Sequence, residues 1–313
     1  MNKKAWVNRI QKEYDKIFVS FSGGKDSVAS LIFALENFDR DKIEALWVDV
    51  GYDFPELYPY ILFYLNKADI KLNILKIPTP LDQLAQIFGN LSHRTRWCGP
   101  EGKFISISHF FDNLSKRKSY ISFEGTRWDE SRAREGRAYF SDETESFVSN
   151  PTFRPVLDFS NRHVCNYCLQ NGYPLISSYR FFDRSGCYIC PENTLSGWGL
   201  LRTLYPNLFK KHIQFLKCAA RNEKWKKYYA KHDVERITKL TVTNKTFIPP
   251  YTAGYVISPL IEKETGIRVA KIRDNPNYTF EDAIENSNIS IDCNIIKTPQ
   301  PDRHKALLDN LKK

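Results

Sequence analysis

The chain has 313 residues, 42% of them hydrophobic and 14% aromatic, enough to pack one large core or two modest ones, which excludes an intrinsically disordered protein. Its net charge of +10 is uneven: residues 201–313 hold 21 Lys and Arg against 12 Asp and Glu, so a basic surface, if there is one, belongs to the C-terminal third. No stretch approaches the ~18 continuous apolar residues of a membrane-spanning helix, and the residues from Met1 to Trp6 lead into charge rather than an apolar signal, so a cytoplasmic protein with no membrane partner is expected.

Lys16 to Phe21 is a β-branched and aromatic run that predicts a buried strand. A glycine turn and an apolar-periodic helix, Ser27 to Asn37, follow it. Ile43 to Val50 predicts a second strand, Glu56 to Ala68 a second helix, Lys71 to Ile77 a third strand and Ser119 to Glu124 a fourth. Strands alternating with helices predict an α/β fold, a doubly wound, mostly parallel sheet with its ligand crevice at the C-terminal strand ends. Asp129 to Pro155 is polar and irregular and reads as an active-site loop. A helix from Asn161 to Asn171 is bracketed by Ser160 as N-cap and Gly172 as its stop. Helices are expected from Leu195 to about residue 232, and the Pro-rich and Gly-containing remainder yields no clear pattern. This divides the chain into a nucleotide-binding domain, 1–195, and a basic, mainly helical C-terminal region, 196–313.

The segment Ser22-Gly23-Gly24-Lys25-Asp26-Ser27 lies between the first strand and the first helix after it. Two glycines let backbone N–H groups approach an anion, the helix N-terminus adds positive potential, and Lys25 and the serine hydroxyls add donors. Phosphate is the expected ligand, although the G-x-x-x-x-G-K-[ST] pattern of a Walker loop is absent. From Arg202 to Lys231 nine basic residues and one acid interleave with Phe209, Phe215, Trp225, Tyr228 and Tyr229. The stretch reads equally as a nucleic-acid surface or as a solvated helix face with its aromatics turned inward.

The hexapeptide resembles the PP-loop of the adenine-nucleotide alpha-hydrolase-like superfamily, which includes ATP pyrophosphatases, tRNA-thiolating enzymes and sulfonucleotide reductases. Further stretches look like its phosphoadenosine-phosphosulfate reductase branch: Asp49 to Glu56, Arg96-Trp97-Cys98 with Lys103, Gly125 to Arg132, and Arg154-Pro155-Val156 through Tyr179 to Gly186-Cys187-Tyr188-Ile189-Cys190-Pro191. The resemblance covers roughly residues 15–215. It implies ATP, with Mg²⁺, on the Ser22 to Ser27 loop, Lys25, Asp26 and Arg127 in catalysis, and Asp49, Gly125, Arg127 and Arg132 around the nucleotide. On physical grounds Asp49, at a strand end, suits a ribose hydroxyl or a metal ion, and the forks of Arg127 and Arg132 suit phosphate or sulfate.

Seven cysteines, four of them in two C-x-x-C pairs, fit a disulfide framework poorly in a chain this long. Cys187-x-x-Cys190 has the turn geometry of a metal knuckle. With Cys98 on the family's cysteine-bearing stretch, the resemblance implies three ligands to a [4Fe–4S] cluster, with zinc as the lesser alternative, and Cys218 is taken as the fourth ligand without support from the resemblance. Cys165 and Cys168 fall within an amphipathic helix and read as buried free thiols. The C-terminal Glu-Cys-Gly motif of thioredoxin-dependent reductases is missing, as is the cysteine pair of the iron–sulfur type at Trp97-Cys98. The resemblance therefore favours an ATP pyrophosphatase that adenylates an acceptor for sulfur transfer, with a nucleic acid as acceptor in the manner of DNA phosphorothioation or tRNA thiolation, and a cysteine desulfurase or other persulfide donor as partner. A sulfonucleotide reductase and a nucleotide-binding subunit without turnover are the alternatives.

Overall fold

The computed structural model describes residues 3–92, 94–114, 119–142, 150–182, 184–220 and 258–312. A helix, α1 (Lys3–Glu13), precedes the first strand, β1 (Lys16–Ser20), whose Ile17, Phe18 and Val19 are all buried. Continuous rather than alternating burial is what a central parallel strand requires, because helices cover both of its faces. The chain then runs through α2 (Lys25–Asn37), β2 (Ile43–Asp49), α3 (Leu57–Ala68), β3 (Leu72–Lys76), α4 (Leu81–Phe88), α5 (Phe104–Asp112), β4 (Tyr120–Phe123), β5 (Phe140–Ser141), β6 (Thr152–Phe153), α6 (Asn161–Gln170), α7 (Leu195–Leu204) and α8 (Pro206–Ala219). A last strand, β7 (Cys293–Lys297), lies among short helices, the longest of them Ser258–Thr265 and Asp302–Asn310.

The strands form one seven-stranded sheet in the order β5-β6-β4-β1-β2-β3-β7, parallel throughout except for the β5–β6 pair. The expected doubly wound parallel sheet is present. β1 lies at its centre with β2 on one side and β4 on the other, so the order reverses there and opens a crevice at the strand ends. Residues of α2, α3 and α6 share one core with the odd-numbered side chains of β1, and Phe110 of α5 packs against Phe18, Leu46 and Leu75 in another. A third cluster lies beyond the β2 end, where Tyr52, Phe54, Trp97, Tyr188, Trp198 and Tyr205 pack with α4, α7 and α8.

Two expectations are corrected. The 195/196 boundary does not divide the core: β7 pairs in parallel with β3, and Ile261, Ile267, Val269, Ile272, Phe280 and Ala283 belong to the same buried cluster as α3. The tail thus completes the nucleotide-binding sheet rather than extending it. The polar segment Asp129 to Pro155 also contributes structure, since β5 and β6 are both drawn from it. The Ser160 cap is present, its hydroxyl accepting from His163 N at 3.2 Å, and Gly172 adopts φ 75 as the stop.

Candidate nucleotide-binding site

The loop between β1 and α2 is braced from beneath and left open above. Ser27 Oγ donates to Gly24 O at 2.8 Å and accepts from Ser22 N at 3.1 Å, which folds the loop back on the helix start. Gly24, the N-cap, brings no side-chain acceptor, so the N–H groups of α2 that follow Lys25 retain donor capacity toward the crevice. Gly23 sits at φ +72, and an added Cβ there would lie 2.6 Å from Leu57 Cδ1. Gly125, at the end of β4, is packed still more tightly. A Cβ there would meet the carbonyl carbon and oxygen of Asp26 at 2.6 Å and Ser27 N at 2.9 Å, all backbone atoms.

Lys25 is buried, its Nζ 2.7 Å from Asp26 Oδ2 and its backbone N donating to Tyr179 Oη at 3.2 Å. Burial works against the ammonium, yet Tyr179 and Asp26 together hold the Lys25 pKa above its ordinary value. Tyr179 Oη also lies 2.9 Å from Ser185 Oγ, linking the loop to the segment that leads to the cysteine turn.

Arg127 has a different position from that expected. It is 1% exposed, and Nε donates to Asp26 Oδ1 at 2.6 Å, Nη1 to Phe159 O at 3.0 Å and Nη2 to Asn161 Oδ1 at 2.5 Å. Its fork therefore fixes Asp26 and the α6 N-terminus from within, and most of its donors are engaged before a phosphate arrives. Asp49 does lie at the end of β2, but one carboxylate oxygen accepts from Gly51 N at 2.8 Å and the other pairs with Lys76 Nζ at 2.5 Å, so it serves the turn rather than a ribose or a metal. Arg132 is exposed and turned away. It opens a tight 3₁₀ turn, Arg132–Arg134, in which three residues complete a revolution, so Arg134 takes the inward direction.

These elements enclose a cleft of about 1090 Å³ lined by Ser22, Gly24, Lys25, Asp26 and Ser27 on its floor and by Gly125, Arg127 and Tyr179 beside them. The opposite wall carries Arg96, Arg134, Arg137 and Arg184, all absent from the expected site. Arg134 pairs with Glu130, while Arg96 and Arg184 share Glu192 at 3.3 and 3.6 Å. Beyond the burial that lowers its pKa, Arg134 also feels Arg137, Arg184 and Arg96, so these guanidinium groups face a common space that favours an anion. Topology alone brings these four together, from two segments and a loop. The only sequence trace was that Arg96 and Arg184 flank cysteine-bearing stretches.

The cysteine turn packs against Tyr52 and Asp53, and Glu192, two residues past Cys190, lines the cleft. Asp53 and Cys187 form an isolated antiparallel bridge, Tyr188 N donates to Tyr52 O at 3.0 Å, and Cys190 N closes the turn on Cys187 O at 3.1 Å. Cys98, Cys187 and Cys190 lie within electrostatic reach of one another and of Lys103, whose ammonium is favoured first by Cys187 against the cost of burial, then by Asp53, Cys98 and Cys190. Cys218 acts on Tyr52. Among the described residues no group of three or more His, Cys, Asp or Glu side chains is arranged to hold a metal ion. The four-ligand set of Cys98, Cys187, Cys190 and Cys218 is thus not assembled, because these sulfurs do not converge on one centre. Cys165 and Cys168 are buried free thiols on α6, as their helix phase implied, with Cys168 Sγ donating to Lys25 O at 3.4 Å.

Residues 16–193, more than half of the chain, match the phosphoadenosine phosphosulfate reductase domain family. The chain belongs to this family. An uncharacterized protein of Methanocaldococcus jannaschii is 30% identical over 224 residues, covering 69% of this chain and 53% of the relative, and a second from the same organism is 27% identical over 212 residues, covering 66% and 43%. The sulfate adenylyltransferase subunit 2 of Streptomyces lavendulae is 28% identical over 136 residues, 42% of this chain and 40% of that protein. The chain spans about half the length of the curated relatives it matches. Among solved structures, the NH₃-dependent NAD synthetase of Campylobacter jejuni aligns over 69% of this chain and 91% of its own at 14% identity and a TM-score of 0.42. Among the described residues no helix is long and apolar enough to cross a membrane.

Of the basic stretch Arg202 to Lys231, residues 221–231 lie outside the described residues, with Trp225, Tyr228 and Tyr229. In the described part Phe209 and Phe215 are buried in the core, while Arg202, Lys210 and Lys217 are exposed. Here the inward-facing reading of the aromatics applies.

Proposed function

We propose that the protein is an ATP pyrophosphatase that adenylates an acceptor and prepares it for sulfur transfer. The observation that carries this reading is the cleft, in which a PP-loop floor shares one space with four arginines. In this reading the loop amides and Lys25 hold the phosphates of ATP, an acceptor oxygen attacks the α-phosphorus, and pyrophosphate leaves toward the guanidinium groups, whose fixed donors stabilise the developing charge. Asp26 lines the cleft, but both its oxygens are engaged by Lys25 and Arg127, so Mg²⁺ would arrive on the phosphates and meet the protein through water. No step is assigned to an iron–sulfur cluster or zinc, because the thiols do not form a metal-binding set.

Nucleic acid is the proposed acceptor, supported by the charge surplus of residues 201–313 and the exposed cations of α7 and α8. DNA phosphorothioation and tRNA thiolation are both of this type, with a cysteine desulfurase or another persulfide donor supplying sulfur. The decisive assay is pyrophosphate release from ATP by purified protein, with and without DNA duplex or tRNA and a persulfide donor. Release stimulated by one of the nucleic acids, with affinity falling steeply as salt rises, is expected. Sulfite release from a sulfated adenosine nucleotide, the second reading and the one favoured by the family match, would replace this proposal, and nucleotide binding without turnover would refute both.

A further inference from the structure

Five carboxylates line the nucleotide cleft: Asp26, Glu124, Asp129, Glu130 and Glu192. A polyphosphate entering such a space is repelled by each of them unless one gives way. The first four are each held by a contact of 3.2 Å or less. Asp26 is fixed by Lys25 at 2.7 Å and by the buried Arg127 at 2.6 Å. Glu124 pairs with Arg154, itself buried, at 3.2 Å, Asp129 accepts from Asn161 N at 3.0 Å, and Glu130 accepts from Arg127 N at 3.0 Å. Glu192 differs. It meets Arg96 Nη1 at 3.3 Å and Arg184 Nη1 at 3.6 Å, and these two side chains are 54% and 45% exposed. Ion pairs of that length and exposure hold their members weakly. Glu192 also borders a second, smaller hollow with Thr194 and Ser196 at the start of α7, where the helix N-terminus favours a carboxylate.

We infer that Glu192 is a placeholder that sets the selectivity of the cleft for polyphosphate. In the empty cleft its carboxylate occupies the anion position between Arg96 and Arg184. The terminal phosphate of a nucleotide's pyrophosphate group displaces it and takes both guanidinium groups. The inference rests on the pyrophosphatase reading above and deepens it by naming the residue that tells a polyphosphate from a monophosphate. A carboxylate offers one charge on two oxygens, and here it spans the two forks at 3.3 and 3.6 Å without a close contact to either. A terminal phosphate offers more charge on three oxygens, so it can engage both forks with short, paired hydrogen bonds. AMP, with no phosphate beyond the loop, leaves Glu192 in place. When pyrophosphate departs, Glu192 returns to the arginines and opposes its rebinding.

Calorimetric titration of the full chain with inorganic pyrophosphate, ATP, AMP and a short DNA oligonucleotide tests the inference. Glu192→Gln keeps the shape and removes the charge. It should strengthen pyrophosphate and ATP binding about tenfold, the effect of freeing two weakly paired guanidinium groups, and AMP binding by less than about twofold. Arg96→Gln and Arg184→Gln should each weaken pyrophosphate binding about tenfold. The opposite signs are the discriminating readout, since a bridge that merely held the fold would lose affinity when broken from either side. Circular dichroism checks each variant, and Glu192→Asp, whose shorter reach loosens both contacts, should show the same gain at about threefold if Glu192→Gln does not fold. Pyrophosphate binding unchanged or weakened in the Glu192 variants, or an AMP gain equal to that of pyrophosphate, would overturn the inference. A gain for the oligonucleotide without one for pyrophosphate would assign the arginine pair to the acceptor and overturn it as well. Pyrophosphate release by wild-type protein separates the two claims: turnover without the Glu192 effect removes the placeholder alone, and the Glu192 effect without turnover removes the functional reading while leaving the placeholder.

Discussion

Replacing Arg127 by alanine separates two roles that a motif cannot distinguish. If Arg127 were a phosphate ligand, its loss would weaken ATP binding and leave the apo protein as stable as before. The structure predicts the reverse weighting. Three strong donors, to Asp26, Phe159 O and Asn161, disappear from a side chain that is 1% exposed. Breaking a buried ion pair costs about 3–5 kcal/mol because the remaining partner is left uncompensated. Asp26 keeps Lys25 at 2.7 Å and its side chain is 21% exposed, so water can solvate it, and the lower end, about 3 kcal/mol, applies. In a chain of 313 residues that corresponds to a fall in melting temperature of roughly 5 °C. ATP affinity falls as well, but through the displaced Asp26 and loop. Arg127→Lys, which keeps the charge and loses the planar fork, should recover less than half of the stability. Denaturant unfolding of the apo protein and calorimetric titration with ATP measure the two quantities. A stability loss below about 1 kcal/mol together with a hundredfold loss of ATP affinity would refute the positioning role.

Gly125→Ala should destabilise by about 1–3 kcal/mol and weaken ATP binding, because its methyl group would press on the backbone of Asp26 and Ser27, which cannot rotate away; equilibrium unfolding and calorimetry report both. Lys25→Ala and Asp26→Ala should each abolish nucleotide turnover with the fold retained, as checked by pyrophosphate release and circular dichroism, and normal turnover in either would remove the loop from the mechanism. His212, buried with both ring nitrogens lacking partners among the described residues and stacked on Trp198 at 4.1 Å, has its pKa lowered to about 3 by burial. Its folded pKa lies below the unfolded value near 6.5, so the unfolded state binds the extra proton and stability falls as pH drops from about 6.5 toward 3, by about 1.4 kcal/mol per unit. His212→Phe should therefore gain roughly 2 kcal/mol on wild type between pH 7.5 and pH 5. Taking that difference cancels the opposite trend of Asp53, and equal pH profiles would refute it.

The central strands were legible because each is a short apolar run closed by a turn, and burial on both faces leaves no alternation to confuse with a helix. β7 was not, since Cys293 to Lys297 is a half-exposed edge strand whose partner, β3, lies more than two hundred residues earlier in the chain. No local pattern encodes a pairing at that distance. The PP-loop was legible down to its residues because the constraint is local: two glycines, a lysine and a helix start must be adjacent to cradle an anion. The remainder of the site is not local. Arginine in a loop after a strand looks the same whether its fork points out to a ligand or, as at Arg127, inward to a carboxylate. Burial decides between them, and burial belongs to the packed chain.

The same argument bears on the cysteines. Spacing identified Cys187 and Cys190 as a turn able to bring two sulfurs together, and family position added Cys98, but what thiols do in common depends on whether they converge. A cation-binding set needs its thiolates to converge on an empty centre. Here Cys187, Cys98 and Cys190 favour the Lys103 ammonium, and Cys187 Sγ donates to Asp53 Oδ1 at 3.7 Å. An ammonium beside thiols favours their ionised form whether they stay free or bind a metal, so charge alone does not decide between the two and convergence does. Spacing thus identifies the turn, whereas convergence of the sulfurs on one centre is a property of the packed chain, and among the described residues it is not met.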